Sequence, residues 1–174
     1  MGVYQLHEAK IGISNWKQSL TPLCIFETKK VLKAILEPKG FLSIKLKKTK
    51  SQHLVAQLKI NKREGLFLID TGASNSCISV DKEDYFSIVR QDEELEMSGA
   101  GSEKLKAKPS MKSTINYKET FLLNLKFFLL DMNAINSSLS EQGSLTIDGI
   151  IGADFLKRTN AIIDCKSKNL FLKL

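Results

Sequence analysis

Cysteine and histidine are scarce in this chain, and their scarcity removes several kinds of chemistry. The three cysteines, Cys24, Cys77 and Cys165, are odd in number and scattered. That spacing fits neither a disulfide framework nor a zinc site. The two histidines, His7 and His53, stand far apart in sequence and read as surface or strand residues rather than ligands. Neither a metal nor a cofactor is expected. Long apolar runs are missing too: no stretch reaches the roughly 18 apolar residues that a membrane-crossing helix needs. The start, Met1-Gly2-Val3-Tyr4-Gln5-Leu6, lacks the basic segment and apolar core of a signal peptide. Leu6 stands where the myristoylation pattern wants Ser or Thr. There is no internal repeat and no low-complexity tract. These absences lead to the expectation of a reduced, cytoplasmic, metal-free protein with no membrane partner.

What is present describes a folded domain. Hydrophobic residues make up 43% of the 174 residues and charged residues 26%, which excludes disorder as the main state. The length suits one domain, or one domain with an appendage. The formal net charge is +7, and it is unevenly placed. Residues 1–63 hold 13 Lys/Arg against 3 Asp/Glu, whereas residues 64–174 hold 13 against 16. A basic segment invites a nucleic-acid reading. No aromatic platform accompanies these lysines, however, and Lys also protects exposed strand edges from pairing. Nucleic acid is therefore not the expected partner.

The hydrophobic pattern divides the chain at Glu37-Pro38-Lys39-Gly40, where Pro and Gly stop a weak helical pattern over Lys29–Leu36. Residues 1–40 are taken as an extension of unknown role and residues 41–174 as the main domain. From Phe41 the period becomes two, and Phe41–Leu46 and His53–Ile60 form an expected hairpin. Gly65–Asp70 is apolar on both faces and reads as a central strand. Cys77–Val80 is a further strand, followed by a short helix over Asp81–Ile88 with Asp81 as its N-cap. Glycines near 98–102 tip a hairpin between Glu93–Met97 and Lys104–Lys108. Thr120–Leu130 is the most apolar run and should supply core. Residues 131–142 read as a polar loop. A second short helix, Ala153–Thr159, carries Asp154 in its first turn and Lys157 and Arg158 in its last, as the helix dipole favours. Asn160 ends it, and a terminal hairpin closes the chain. Many short strands with two short helices make an all-β barrel or closed sheet.

Asp70 is the residue that demands a chemical explanation. An isolated carboxylate at the end of a buried strand costs several kcal/mol or takes up a proton. Asp-Thr-Gly alone is an ordinary turn sequence, in which Asp70 caps the backbone that follows it. Here it sits in Leu68-Ile69-Asp70-Thr71-Gly72-Ala73-Ser74. Some eighty residues later comes Ile150-Ile151-Gly152, followed by a short helix and a strand pair, with the glycine-tipped hairpin lying between. Cys77 lies nearby, but no histidine is close in sequence to activate it, so it reads as a buried structural thiol.

That order of motifs resembles the retropepsin-like, or retroviral-type, aspartic proteases over residues 41–174. The resemblance implies a closed β-barrel with a flap hairpin and an aspartic-type endopeptidase activity on peptide or protein substrates. It implies Asp70 as the catalytic residue, with Thr71, Gly72 and Ala73 supporting the active-site loop. Ile150, Ile151 and Gly152 would pack beside that loop, and Gly99, Ala100 and Gly101 would tip the flap. Such a protease works with two carboxylates that share a proton. The chain has one Asp-Thr-Gly, Asp148 and Asp154 do not sit in a second one, and the resemblance therefore implies a homodimer. Viral members often carry an acidic residue after Asp-Thr-Gly-Ala and an arginine after the later Gly. Ser74 and Ala153 occupy those positions, which makes the chain look closer to cellular and bacterial members. Two other readings compete: a catalytically silent relative that binds a peptide or protein in the same cleft, and a binder of nucleic acid or anionic surfaces through residues 1–63.

Overall fold

A computed structural model describes residues 31–98 and 104–174. The expectations about residues 1–30, and the flap tip at Gly99, Ala100 and Gly101, lie outside the described residues. Ten strands form one sheet: β1 Leu42–Lys48, β2 Leu54–Ile60, β3 Arg63–Ile69, β4 Cys77–Ser79, β5 Leu95–Ser98, β6 Lys104–Tyr117, β7 Thr120–Leu130, β8 Gly149–Ile151, β9 Ile162–Asp164 and β10 Asn169–Leu172. The order across the sheet is β5-β6-β7-β4-β8-β3-β2-β1-β10-β9. The class is all-β, as the alternating patterns require.

The sheet also closes on itself. One edge of β2 is shared: Leu54, Val55 and Ala56 pair with β1, while Lys59 and Ile60 pair with Asn116 and Ile115 of β6. That second pairing joins β2, β3, β8, β4, β7 and β6 into a ring. The ring encloses Phe67, Phe127, Phe155, Ile115 and Ile151, all fully buried. Phe86 joins them from α2 (Glu83–Phe86), a single helical turn. Pro109, which has no N–H to give a ladder, sits where the β6–β7 register shifts. The buried Ser110 hydroxyl repairs that irregularity by accepting the Phe127 N–H at 2.9 Å.

Two expectations need correction. Residues 131–142 are not a loop, because Asn133–Glu141 form a helix, α3. Their composition is polar, yet Met132 and Leu139 are buried seven residues apart on one side. Asn136, on the same side, donates its side-chain N–H to the Ile147 carbonyl at 3.0 Å and accepts the Ile147 N–H at 2.8 Å. The Asp131 carboxylate accepts the Asn133 N–H at 2.8 Å, which supports the helix start. Asp81 is not an N-cap either. It lies inside a 3-10 turn, Val80–Lys82, that precedes α2, and its carboxylate accepts the Ser79 hydroxyl. With α4 (Ala153–Arg158), the described residues after Phe41 hold three short α-helices rather than two, and α1 (Val31–Leu36) falls within the expected helical pattern before the boundary. The stop after α1 falls where expected, with Gly40 in the left-handed region at φ 83°.

Candidate active site

Strand β3 delivers Asp70 to the surface. It pairs antiparallel with β2 on one side and parallel with β8 on the other, with Leu68 opposite Val55 and Ile150. Its residues are apolar on both faces because each face meets an apolar cluster: Phe67 and Ile69 pack into the core inside the ring, and Leu66 and Leu68 against a second cluster with Val55, Ile147 and Ile150. β4 then pairs antiparallel with β8, so β8 lies between the strand before the Asp70 loop and the strand after it. The Asp70 N–H donates to the Ile151 carbonyl at 3.0 Å, the last rung of that ladder. Beyond it the chain turns out. Asp70 is half-buried, and Thr71 and Gly72 are exposed. The Asp70 carboxylate accepts the Gly72 N–H at 2.8 Å through Oδ1.

The loop is held from below by the segment after β8. Ala73 offers its carbonyl to the Ala153 N–H at 2.8 Å, and Ser74 its carbonyl to the Asp154 N–H at 3.2 Å. The Asp154 carboxylate accepts the Ser76 hydroxyl at 2.7 Å and the Ser76 N–H at 3.1 Å. It also accepts the Phe155 N–H at 2.8 Å. The same Ser76 hydroxyl accepts the Gly152 N–H at 2.9 Å. The fit admits no side chain at position 152: an added Cβ would stand 2.8 Å from the Ala73 carbonyl oxygen and from Asn75 backbone atoms. Gly149 is equally constrained, with the Cys77 carbonyl oxygen 2.3 Å from an added Cβ.

The structure thus brings Asp70, Thr71, Gly72 and Ala73 together with Ile150, Ile151 and Gly152. Ile150 and Ile151 are buried beside the loop. Strands β5 and β6 form the expected hairpin, with Leu95 opposite Ala107 and Ser98 opposite Lys104. Asp148 holds a structural post: its Oδ2 accepts the Leu66 N–H at 2.8 Å, and Lys82 stands 3.8 Å from Oδ1. Asp154 is committed to Ser76 in the same way. Ser76 had no signal in the sequence, since nothing marks one serine among many as fully buried. Asp154 had a weak one, its place two residues after Gly152, but the dipole explanation concealed its contact with the Asp70 loop. Cys77 is buried, and burial, with a smaller contribution from the Asp154 charge, pushes its thiol up to about 12. It is a poor nucleophile at neutral pH.

The comparisons with known proteins agree with this geometry. The family model described as gag-polyprotein putative aspartyl protease matches residues 56–158. No curated protein matches the sequence. Among solved structures, a retropepsin-like aspartic protease from Rickettsia conorii is similar at 18% identity and a TM-score of 0.52, over 76% of this chain and 89% of that one. The retroviral protease-like domain of Ddi1 from Leishmania major is similar at 19% identity and a TM-score of 0.50, over 69% and 87%. At such identities these structures speak for the fold, and the family model, which spans more than half of the chain, speaks for descent. By the fold around Asp70 and by that match, the chain belongs to the retropepsin-like aspartic proteases, in the gag-polyprotein putative aspartyl protease family.

Proposed function

We propose that this protein is an aspartic endopeptidase whose active site is completed by a second copy of the chain. The observation that carries the reading is the state of the carboxylates. Asp70 stands at a surface turn with an ordinary Asx contact, while Asp148 and Asp154 are each tied to local donors. A two-carboxylate mechanism then takes its second member from a partner, with Asp70 of each chain at a two-fold axis. One Asp70, ionised, accepts a proton from the attacking water. The other, protonated, gives its proton to the carbonyl oxygen of the scissile peptide as the tetrahedral intermediate forms. Activity is highest at mildly acidic pH, where the two carboxylates together hold the one proton that the mechanism needs.

The surroundings support this reading. Thr71 is exposed beside Asp70 and lines a shallow groove with Ala153, Leu156, Lys157, Asn160 and Ala161 of the α4 region. In the dimer the Thr71 hydroxyl braces the two loops and the β5–β6 hairpin closes over an extended peptide. Residues 41–174 form the catalytic unit and residues 1–40 an appended segment. No helix among the described residues is long and apolar enough to cross a membrane. The free thiols of Cys77 and Cys165 suit the reducing cytoplasm. The test is digestion of an unfolded protein at mildly acidic pH, read by mass spectrometry. Wild type yields discrete fragments, and Asp70→Asn yields none. Equal cleavage by both proteins would falsify the assignment. Binding of unfolded chains with no cleavage by either would make the chain a silent peptide-binding relative.

A further inference from the structure

A second feature of the fold lies apart from the Asp70 loop. Strand β1 and the β9–β10 turn meet along a groove lined by Lys45, Lys47, Lys48, Lys166 and Lys168, with Ser167 and Asn169 among them. The lysines come from two segments about 120 positions apart in sequence, brought together by the β1–β10 pairing. Among the described residues none of the five is within ion-pair distance of a carboxylate. The Lys45 ammonium donates to the Ser167 carbonyl at 2.6 Å, which leaves it donors to spare. Asp164, beside Lys166, offsets one of the five lysine charges and leaves the groove an excess of positive charge. Its carboxylate accepts the Ser167 hydroxyl and the backbone N–H groups of Lys166 and Ser167 at 3.1 and 3.0 Å. Residues 41–63 hold seven Lys/Arg and no Asp/Glu, which equals the net charge of the whole chain.

The backbone adds a second observation. Asn169, the first residue of β10, pairs with Lys45, and one more bond runs from the Leu46 N–H to the Lys168 carbonyl at 2.9 Å. Because successive N–H and C=O groups alternate sides, those of Lys48 face the side where β10 has already ended. The groove therefore offers one strand-edge position beyond the end of β10, at Lys48, flanked by ammonium groups. Lys45 and Lys47 are two residues apart on β1, a rise of about 7 Å, the interval at which an extended peptide presents alternate side chains.

We propose that this groove docks an extended acidic polypeptide segment, with Glu or Asp at alternate positions reaching the lysines and the backbone adding to the β1 edge at Lys48. The lining favours a peptide over nucleic acid. It contains no arginine fork and no aromatic plane on which a base stacks. The groove lies in the same sheet as the strand that leads to Asp70, on the edge of β1 that faces away from β2 and β3. Lys47 pairs with Val55 and Val55 with Leu68, so two strand spacings, about 10 Å, separate the basic strand from the strand that ends in Asp70. An acidic stretch flanking the scissile bond is the substrate feature it selects. This last step rests on the protease reading; the docking itself does not.

The test uses full-length Asp70→Asn protein and fluorescence anisotropy of a labelled peptide of alternating Glu and Ser. The peptide binds, its Gln/Ser counterpart does not, and added salt weakens the complex. Lys166→Glu/Lys168→Glu weakens it by about tenfold, with an unchanged melting temperature. Lys47→Glu, on the opposite wall, acts in the same direction, so one poorly folded variant does not decide the matter. Equal affinity in the charge-reversed proteins overturns the proposal, as does tighter binding of an oligothymidylate of equal charge. In the Asp70-intact background the same reversals raise KM for acid-flanked substrates and leave kcat unchanged. Peptide binding in a protein that cleaves nothing would uphold the groove while removing the protease. Cleavage with no response to the reversals would remove the groove alone.

Discussion

Ser76→Ala isolates the contact that fixes the Asp70 loop. The Ser76 side chain is fully buried and works in both directions, donating to Asp154 at 2.7 Å and accepting from the Gly152 N–H at 2.9 Å. Alanine removes a hydrogen bond to a charged acceptor, worth roughly 1.5–3 kcal/mol, and leaves a buried N–H without a partner, at a further cost of about 1–3 kcal/mol. Asp154 keeps the Ser76 and Phe155 N–H groups, so part of its share is retained. The net cost is about 3 kcal/mol. For a chain of this size that lowers Tm by about 9 °C. The assay is thermal unfolding by circular dichroism, with urea unfolding as a second measure. Ser74→Ala is the control, because Ser74 is exposed and contributes its backbone carbonyl rather than its hydroxyl; it changes stability by less than about 0.5 kcal/mol. A double-mutant cycle with Asp154→Ala should return a coupling of about 1.5 kcal/mol. A Ser76→Ala protein that melts within about 2 °C of wild type would show that the loop is not held this way.

Gly152→Ala is expected to cost about 2–4 kcal/mol and to abolish cleavage, because the atoms it meets are backbone and cannot swing aside. A normally active, normally stable variant contradicts the packing described here. Cys77 should resist thiol reagents at pH 8 in a Cys24→Ser background while the exposed Cys165 reacts, as counted by mass spectrometry. Its thiol is raised from 9.0 to about 12 in the folded protein. The stability that goes with the neutral thiol is therefore fully present below about pH 9 and is lost as pH climbs toward 12. Replacing Cys77 by Ala should flatten the fall of Tm over that alkaline window, and an unchanged pH profile refutes the cause. Asn136→Ala, which severs both bonds to Ile147, should lower stability by about 2 kcal/mol in urea unfolding; no change would remove α3 from the support of β8.

Where local pattern and tertiary demand coincided, the sequence was readable. β7 is the most apolar run in the chain, interrupted by Asn124 and Lys126, and other strands alternate with a period of two. Asp70 stood out because a carboxylate ending a doubly apolar strand is costly, and the later Ile150-Ile151-Gly152 gave it a partner. The α3 region was misread because its helix is held by two buried residues and one Asn–Ile147 exchange, which leave little trace in composition. Closure of the sheet through the β2–β6 pairing is a long-range event of two residue pairs and has no local signature. The Ser76–Asp154–Gly152 bracket is equally non-local, with its members 76 and 78 positions apart. The lysine groove is the same kind of feature, since the charge was visible along the chain but its concentration between β1 and the β9–β10 turn was not.

The most direct test of the central claim is a subunit-mixing experiment. Wild type and Asp70→Asn are unfolded together, refolded in equal amounts and assayed on one peptide substrate. If each active site needs Asp70 from two chains, about a quarter of the dimers are fully wild type, and activity per wild-type chain falls by about half. Further excess of Asp70→Asn drives it toward zero. Activity per wild-type chain that stays constant at every mixing ratio would contradict the shared site.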